Sequence, residues 1–281
     1  MFSIGSFGVR WYSVCFLCAF LAAYTVLAWM YKREHVDVRY LDQLTIYFFL
    51  ATLIGARLGH CFFYEPDYFL TSEHWTEIVW PFSNGKFTGF QGLASHGAAI
   101  AILVTMYFYW RRFKINIWWI LDRLVMVVAL GGFFIRLGNL FNSEIYGVET
   151  SLPWGFVFER NHETVPKHPT QLYESLSYLA IFLFCLWRYV ATKAQFKTCS
   201  VFGWWLAGLF GVRFLIEFIK NDQVDFEAGM ALNMGQILSI PFVLGGLIFV
   251  WLSHKKVFPQ GPFPHGEQYT FKDEKSDRKK K

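Results

Sequence analysis

The stretch INIWWILDRLVMVVALGGFFIRLG, residues 115–138, decides what kind of fold this chain adopts. Wound as a helix at 1.5 Å per residue it is about 36 Å long, enough to cross the roughly 30 Å hydrocarbon core of a bilayer. Its charges sit near the two ends, Asp122 and Arg123 at one and Arg136 at the other, so the apolar middle can lie in lipid. A soluble surface helix of this length would carry a polar face along its whole length. This one reads as a membrane span.

Working outward, similar apolar blocks lie near 11–31, 43–63, 93–110, 170–190, 199–219 and 234–253, giving seven spans in all. Composition agrees. The 281 residues are 54% hydrophobic and 21% aromatic with only 17% charged, whereas a soluble domain carries about a quarter charged residues. The net charge of +5 gathers in a few loops and the tail, without the basic face that nucleic-acid binding requires, and nucleic acid is excluded as a partner. Lys32, Arg33 and Arg39 follow the first span, Arg111, Arg112 and Lys114 the third, and Arg188, Lys193 and Lys197 the fifth; Lys255, Lys256 and Lys279 to Lys281 close the chain. The alternate loops carry Glu65, Asp67, Glu73, Glu77, Asp222, Asp225 and Glu227. The positive-inside rule then places the N-terminus outside and the C-terminus in the cytoplasm.

The expected fold is an all-α integral membrane protein, a bundle of seven transmembrane helices with a small extracytoplasmic cap. Residues 1–254 form the membrane domain, with the cap at about 142–167, and 255–281 form a polar, Lys-rich cytoplasmic tail. The first span lacks a basic leader and a small-residue cleavage site, so it is read as a span and not a signal peptide. Cys15 and Cys18 have the spacing of a redox or metal pair but sit in an apolar run, and are expected to be buried small hydrophobes. Trp11, Trp118 and Trp119 are expected as interface anchors.

Charge inside a span is expensive and marks function. Arg57, Arg136 and Arg213 each lie toward the expected outer end of a span, and a guanidinium fork fits a phosphate or carboxylate. Three of them at headgroup depth point to an anionic lipid phosphate; separate snorkelling to the interface is the alternative, and Glu217, four residues after Arg213, offers a local pair. Tyr12, His96, Asn139, Asn142, Glu144, His168, Gln171, Tyr173, Glu174, Asn233 and Gln236 collect toward the same side. His162 and His168 fit no standard zinc spacing, and no metal or cofactor is expected.

RLGNLFNSEIYG (Arg136 to Gly147) resembles the signature of the prolipoprotein diacylglyceryl transferases, and HPTQLYE (His168 to Glu174) resembles that family's His-Pro-Ser/Thr-Gln-Leu-Tyr-Glu motif. GVRFLIEF (Gly211 to Phe218), MGQILSIP (Met234 to Pro241), RWYS (Arg10 to Ser13) and the Ser95-His96-Gly97 string are similar to further family elements, in the family's order. Departures are Ile135 for a glycine, Leu140 for an aromatic, Ala98 for a glycine and Leu209 for a frequent tyrosine.

The resemblance implies that diacylglyceryl passes from phosphatidylglycerol to the lipobox cysteine sulfur of a prolipoprotein, expelling glycerol phosphate, at the periplasmic side of a bacterial inner membrane. It implies Arg136 and Arg213 as the two essential arginines and His96 as the proton acceptor. Tyr12, Asn139, Glu144, Gly147, Asp122 and Glu217 match further functional positions, and Arg57 joins the phosphate-binding set. Asn139 is expected to donate to the headgroup and Glu144 to orient an arginine; His168, Tyr173, Glu174 and Gln236 are expected to support the site. Two readings of His96 stay open, general base or substrate positioning, because the arginines can themselves lower the thiol pKa. A transporter or scramblase for an anionic lipid or small anion is the alternative to the enzyme.

Overall fold

The computed structural model describes residues 2–4, 7–69, 75–78, 82–83, 86–87, 92, 94–192, 197–220, 232–264 and 266. Glu73, Lys193, Asp222, Asp225, Glu227 and Lys279 to Lys281 of the orientation argument lie outside the described residues.

Helices form at all the expected places: α1 (Trp11–Arg33), α2 (Val38–Phe63), α4 (Ser95–Phe113), α5 (Ile117–Asn142), α6 (Thr170–Ala191), α7 (Ser200–Ile216) and α8 (Met234–His254), with a short α3 (Pro66–Phe69). Among the described residues, six of them are long and apolar enough to cross a membrane: α1, α2, α5, α6, α8 and α7 with its extension to Ile219. The protein is therefore a multi-pass membrane protein. The count is six where the sequence reading gave seven, because α4 begins with Ser95-His96 and ends with Arg111-Arg112, which shortens its apolar middle. Extended pairing among the described residues is confined to isolated bridges and two small antiparallel hairpins, Phe2–Ile4 with Phe7–Val9 and Phe82–Ser83 with Lys86–Phe87. Exposed apolar side chains, such as Phe16, Leu17 and Phe20 on α1 and Leu244, Leu247 and Ile248 on α8, need no partner where lipid replaces water.

The chain divides into two compact units, Met1–Arg33 with Trp118–Pro262 and Glu34–Ile117 with Phe263–Lys281. In the first, α7 and α8 meet through small residues. A Cβ on Gly203 would lie 2.7 Å from the Gly246 carbonyl oxygen, and one on Gly246 would lie 2.6 Å from the Ala207 nitrogen. Gly203 and Ala207 are one turn apart on one face, and lipid gives helices no hydrophobic drive to associate, so close backbone approach supplies the contact. Asp122 of α5 caps α7: its carboxylate oxygens accept from the backbone N–H groups of Cys199 at 2.7 Å and Phe202 at 2.8 Å. A helix N-terminus has unpaired donors and a positive dipole end, which explains a carboxylate buried there. Arg123 stacks 4.3 Å above Trp119 and donates to the Trp119 carbonyl. Trp119 itself is fully buried against Tyr31, so it is a packing residue and not the interface anchor expected; Trp118 is half-buried, with its ring against Phe258. Cys15 is buried as expected, but Cys18 is exposed on the apolar surface.

In the second unit, α2 and α4 pack through Gly55, Gly59 and Gly97; a Cβ on Gly59 would lie 2.7 Å from the Gly97 Cα. Tyr109 donates to the Tyr40 carbonyl at 2.7 Å in its core.

Candidate functional site

The polar residues of the first unit converge on Glu174, which is 1% exposed at the start of α6. The Arg136 Nε, from α5, lies 2.7 Å from Oε2, an ionic contact whose N–H is not aligned for a hydrogen bond. The Lys220 Nζ lies 3.4 Å from Oε1 and 3.7 Å from the Glu217 carboxylate. Glu174 thus stands between two cations, and Lys220 between two carboxylates.

One turn further along α6, Tyr178 lies within electrostatic reach of both Arg136 and Arg213. Glycine makes room for this arrangement. A Cβ on Gly132 would lie 2.8 Å from the Tyr178 ring and one on Gly138 would lie 2.8 Å from the Tyr12 ring, so both tyrosines rest on α5. Gly132, Arg136 and Asn139 follow the i, i+4, i+7 rule and share one face of α5.

Arg213, near the end of α7, is exposed, and its guanidinium has no hydrogen-bond or ion-pair partner among the described residues. The local pair expected with Glu217 is not made. Glu217 instead faces Lys220 and packs on Gly235, where a Cβ would lie 2.7 Å from its Cδ. The Asn139 Oδ1 and Gln171 Oε1 are buried without hydrogen-bond partners among the described residues. An unsatisfied buried acceptor costs about 1–3 kcal/mol, so it wants a donor.

The His168–Glu174 stretch ties the site to the cap. The His168 carbonyl accepts from Gly147 N–H at 2.9 Å, and the Thr170 hydroxyl donates to the Ile145 carbonyl at 2.9 Å. The Gln171 amide donates to the Glu144 carbonyl at 2.6 Å, and the Tyr173 hydroxyl accepts from Trp154 and contacts the His168 ring. Gly147 is needed because a side chain there would collide with the Ile219 carbonyl and lie 2.8 Å from Thr170. The cap closes on itself through Tyr146 stacked on Phe158 at 4.5 Å and Tyr146 hydroxyl donating to Glu163 at 2.7 Å. Lys167 pairs with Glu163 at 3.1 Å, and the Tyr146 and Lys167 donors hold the Glu163 carboxyl below its ordinary range.

Other expected residues lie elsewhere or act differently. The Glu144 side chain is exposed and accepts from Asn142, so the acid that orients an arginine is Glu174. Gln236 forms a capping box with Asn233 and donates to the Phe214 carbonyl, joining α8 to α7. Arg57, in the second unit, donates to the carbonyls of Glu77 at 2.6 Å and Ile78 at 3.2 Å and stacks on Phe69. His96 is exposed in the first turn of α4 in that same unit.

Sequence reasoning missed Lys220 and Tyr178. A lone lysine just past an apolar helix, three residues after Glu217, was a signal for the first. The i, i+4 spacing of Tyr178 from Glu174 inside an apolar run was a signal for the second.

Residues 1–252 match the family model described as Prolipoprotein diacylglyceryl transferase. A phosphatidylglycerol--prolipoprotein diacylglyceryl transferase of Bacteroides fragilis is 40% identical over 261 residues, covering 91% of this chain and 93% of the relative. Proteins of the same name from Tolumonas auensis, at 40% identity over 91% of this chain and 95% of the relative, and Chloroherpeton thalassium, at 41% over 91% and 92%, are also similar.

Proposed function

Because the chain belongs to the prolipoprotein diacylglyceryl transferase family, we propose that Arg136 and Arg213 hold the phosphate of phosphatidylglycerol while its diacylglyceryl group passes to a prolipoprotein cysteine. The observation that carries this reading is that Glu174 holds Arg136 at 2.7 Å through Nε, while the Arg213 fork has no partner among the described residues.

The cysteine sulfur attacks the glyceryl carbon that bears the phosphate. A C–S bond forms, the C–O bond breaks, and its electron pair leaves on glycerol phosphate. The thiol proton goes to a base, for which His96 is the candidate. The phosphodiester monoanion becomes a monoester dianion, so negative charge grows on phosphate oxygens in the transition state. Fixed guanidiniums stabilise that charge without reorganising. Glu174 holds Arg136 by Nε, leaving its two terminal nitrogens for phosphate. Lys220 offsets the Glu174 charge, so the carboxylate does not cancel the field of Arg136. The orphan Asn139 oxygen takes a hydrogen bond from the glycerol headgroup, which carries hydroxyl donors. Tyr12 lies against Gly138, one residue before Asn139, and borders the headgroup. Gly147 and the His168–Tyr173 contacts keep the cap in register above it. Arg57 serves by fixing the Glu77–Ile78 loop of its own unit.

In this reading α4 is the seventh span, the N-terminus and the site face the periplasm, and the C-terminus faces the cytoplasm of a bacterial inner membrane. The loop charges support that orientation. The test combines purified protein, phosphatidylglycerol and a lipobox peptide. Glycerol phosphate should appear only when the peptide carries its cysteine; lipid movement with no covalent product would overturn the proposal. His96→Gln separates the roles of that residue: unchanged turnover across pH would exclude proton transfer by His96.

A further inference from the structure

A groove of about 490 Å³ runs between α6 and α7, lined by Ser177, Ile181 and Phe184 on one side and Trp204, Gly208 and Val212 on the other. At one end its lining residues Val212 and Ser177 are the chain neighbours of Arg213 and Tyr178. At the other end Phe184 and Trp204 meet edge to face, ring centroids 5.9 Å apart. That end is braced, because the Arg188 guanidinium lies 5.6 Å from the Trp204 ring and donates to Ser200. Trp204 and Val212 are eight residues apart, which makes the groove about 12 Å long. One leaflet of a bilayer is about 15 Å deep.

We infer that this groove seats one acyl chain of the lipid substrate, and that the Phe184–Trp204 contact limits how long a chain it accepts. The inference rests on the proposed phosphate site at Arg213. A lipid whose phosphate meets that guanidinium must send its chains along the helices, and the groove opens beside it. Its lining is apolar apart from Ser177, as a hydrocarbon chain requires, and Gly208 faces Ile181 across it, where an added Cβ would make an ordinary 3.5 Å contact. Because lipid tails are as apolar as the groove, the selectivity comes from packing fit and not from escape from water. A chain that fits fixes the glyceryl carbon relative to the phosphate; one that is short leaves it loose.

The experiment uses the full-length protein in detergent micelles, with dihexanoyl, dilauroyl and dipalmitoyl phosphatidylglycerol as separate substrates. Gly208→Leu fills the groove and should raise KM for the dipalmitoyl lipid about tenfold while changing that for the dihexanoyl lipid less than about twofold. Trp204→Ala opens the Phe184–Trp204 end and should move the preference toward longer chains. Equal effects on all three lipids, or none, would overturn the inference. Competition of the three lipids for the protein, read by native mass spectrometry, gives the same answer from binding alone. If wild-type protein releases no glycerol phosphate from any lipid, the proposed activity fails, and the competition still decides whether the groove selects by chain length.

Discussion

Replacing Glu174 by Gln keeps the size of the side chain and removes the negative charge between two cations. The Lys220 Nζ stands 3.4 Å from Oε1, which at an effective dielectric near 20 is about 5 kcal/mol of attraction before desolvation. Arg136 makes a second contact at 2.7 Å, and the carboxylate is 1% exposed, so water cannot take its place. Losing one partner of a buried ion pair costs about 3–5 kcal/mol, and the low end applies here because Lys220 keeps Glu217 at 3.7 Å. Glu174→Gln should therefore lose about 3 kcal/mol of unfolding free energy and, through a misplaced Arg136, about a hundredfold in kcat. Lys220→Met alone leaves Glu174 paired with Arg136 and should cost less. Each single variant loses the Glu174–Lys220 attraction and the double variant loses it only once, so its loss should fall short of the sum of the singles by at least about 1 kcal/mol. Unfolding in mixed micelles and glycerol phosphate release on the same preparations give both quantities. Additivity within about 0.5 kcal/mol, or a Glu174→Gln enzyme with normal kcat, would refute the idea that Glu174 positions Arg136 against Lys220.

Arg213→Lys keeps the charge but loses the planar fork, and kcat should fall about a hundredfold in the release assay, as when a preorganised transition-state donor is removed. Gly147→Ala should unfold or displace the cap, since the new methyl collides with the Ile219 carbonyl and crowds Thr170; accelerated amide exchange over 143–167 would record it. Glu163 supplies a pH dependence. Its carboxyl is held low by the Tyr146 hydroxyl and Lys167, so its stabilisation is complete above the ordinary carboxylate range and is lost as pH falls through its lowered value. Exchange in the cap should accelerate on acidification, and Glu163→Gln should remove that pH dependence.

The spans were legible in the sequence because one local quantity decides them: a helix must satisfy its own backbone in lipid, and about 20 apolar residues suffice to cross. The helix starts at Trp11, Thr170 and Met234 fall at or next to the expected positions for that reason. Arg136 and Arg213 also stood out, since a charge at the end of an apolar run is visible without neighbours. The partners of those arginines were not visible. Glu217 lies one turn from Arg213 and suggested a local pair, yet Lys220 takes it; Glu144 lies near Arg136 in sequence, yet Glu174, thirty-eight positions away, holds that arginine.

Local chemistry thus determined that this chain crosses a membrane repeatedly and which side chains carry charge within it. Tertiary packing alone decided which charges meet, because pairing depends on how α5, α6 and α7 lie against one another. Glycines at 132 and 138 that admit two tyrosine rings against α5, and the Gly147 clamp on the cap, set that packing through contacts remote in sequence.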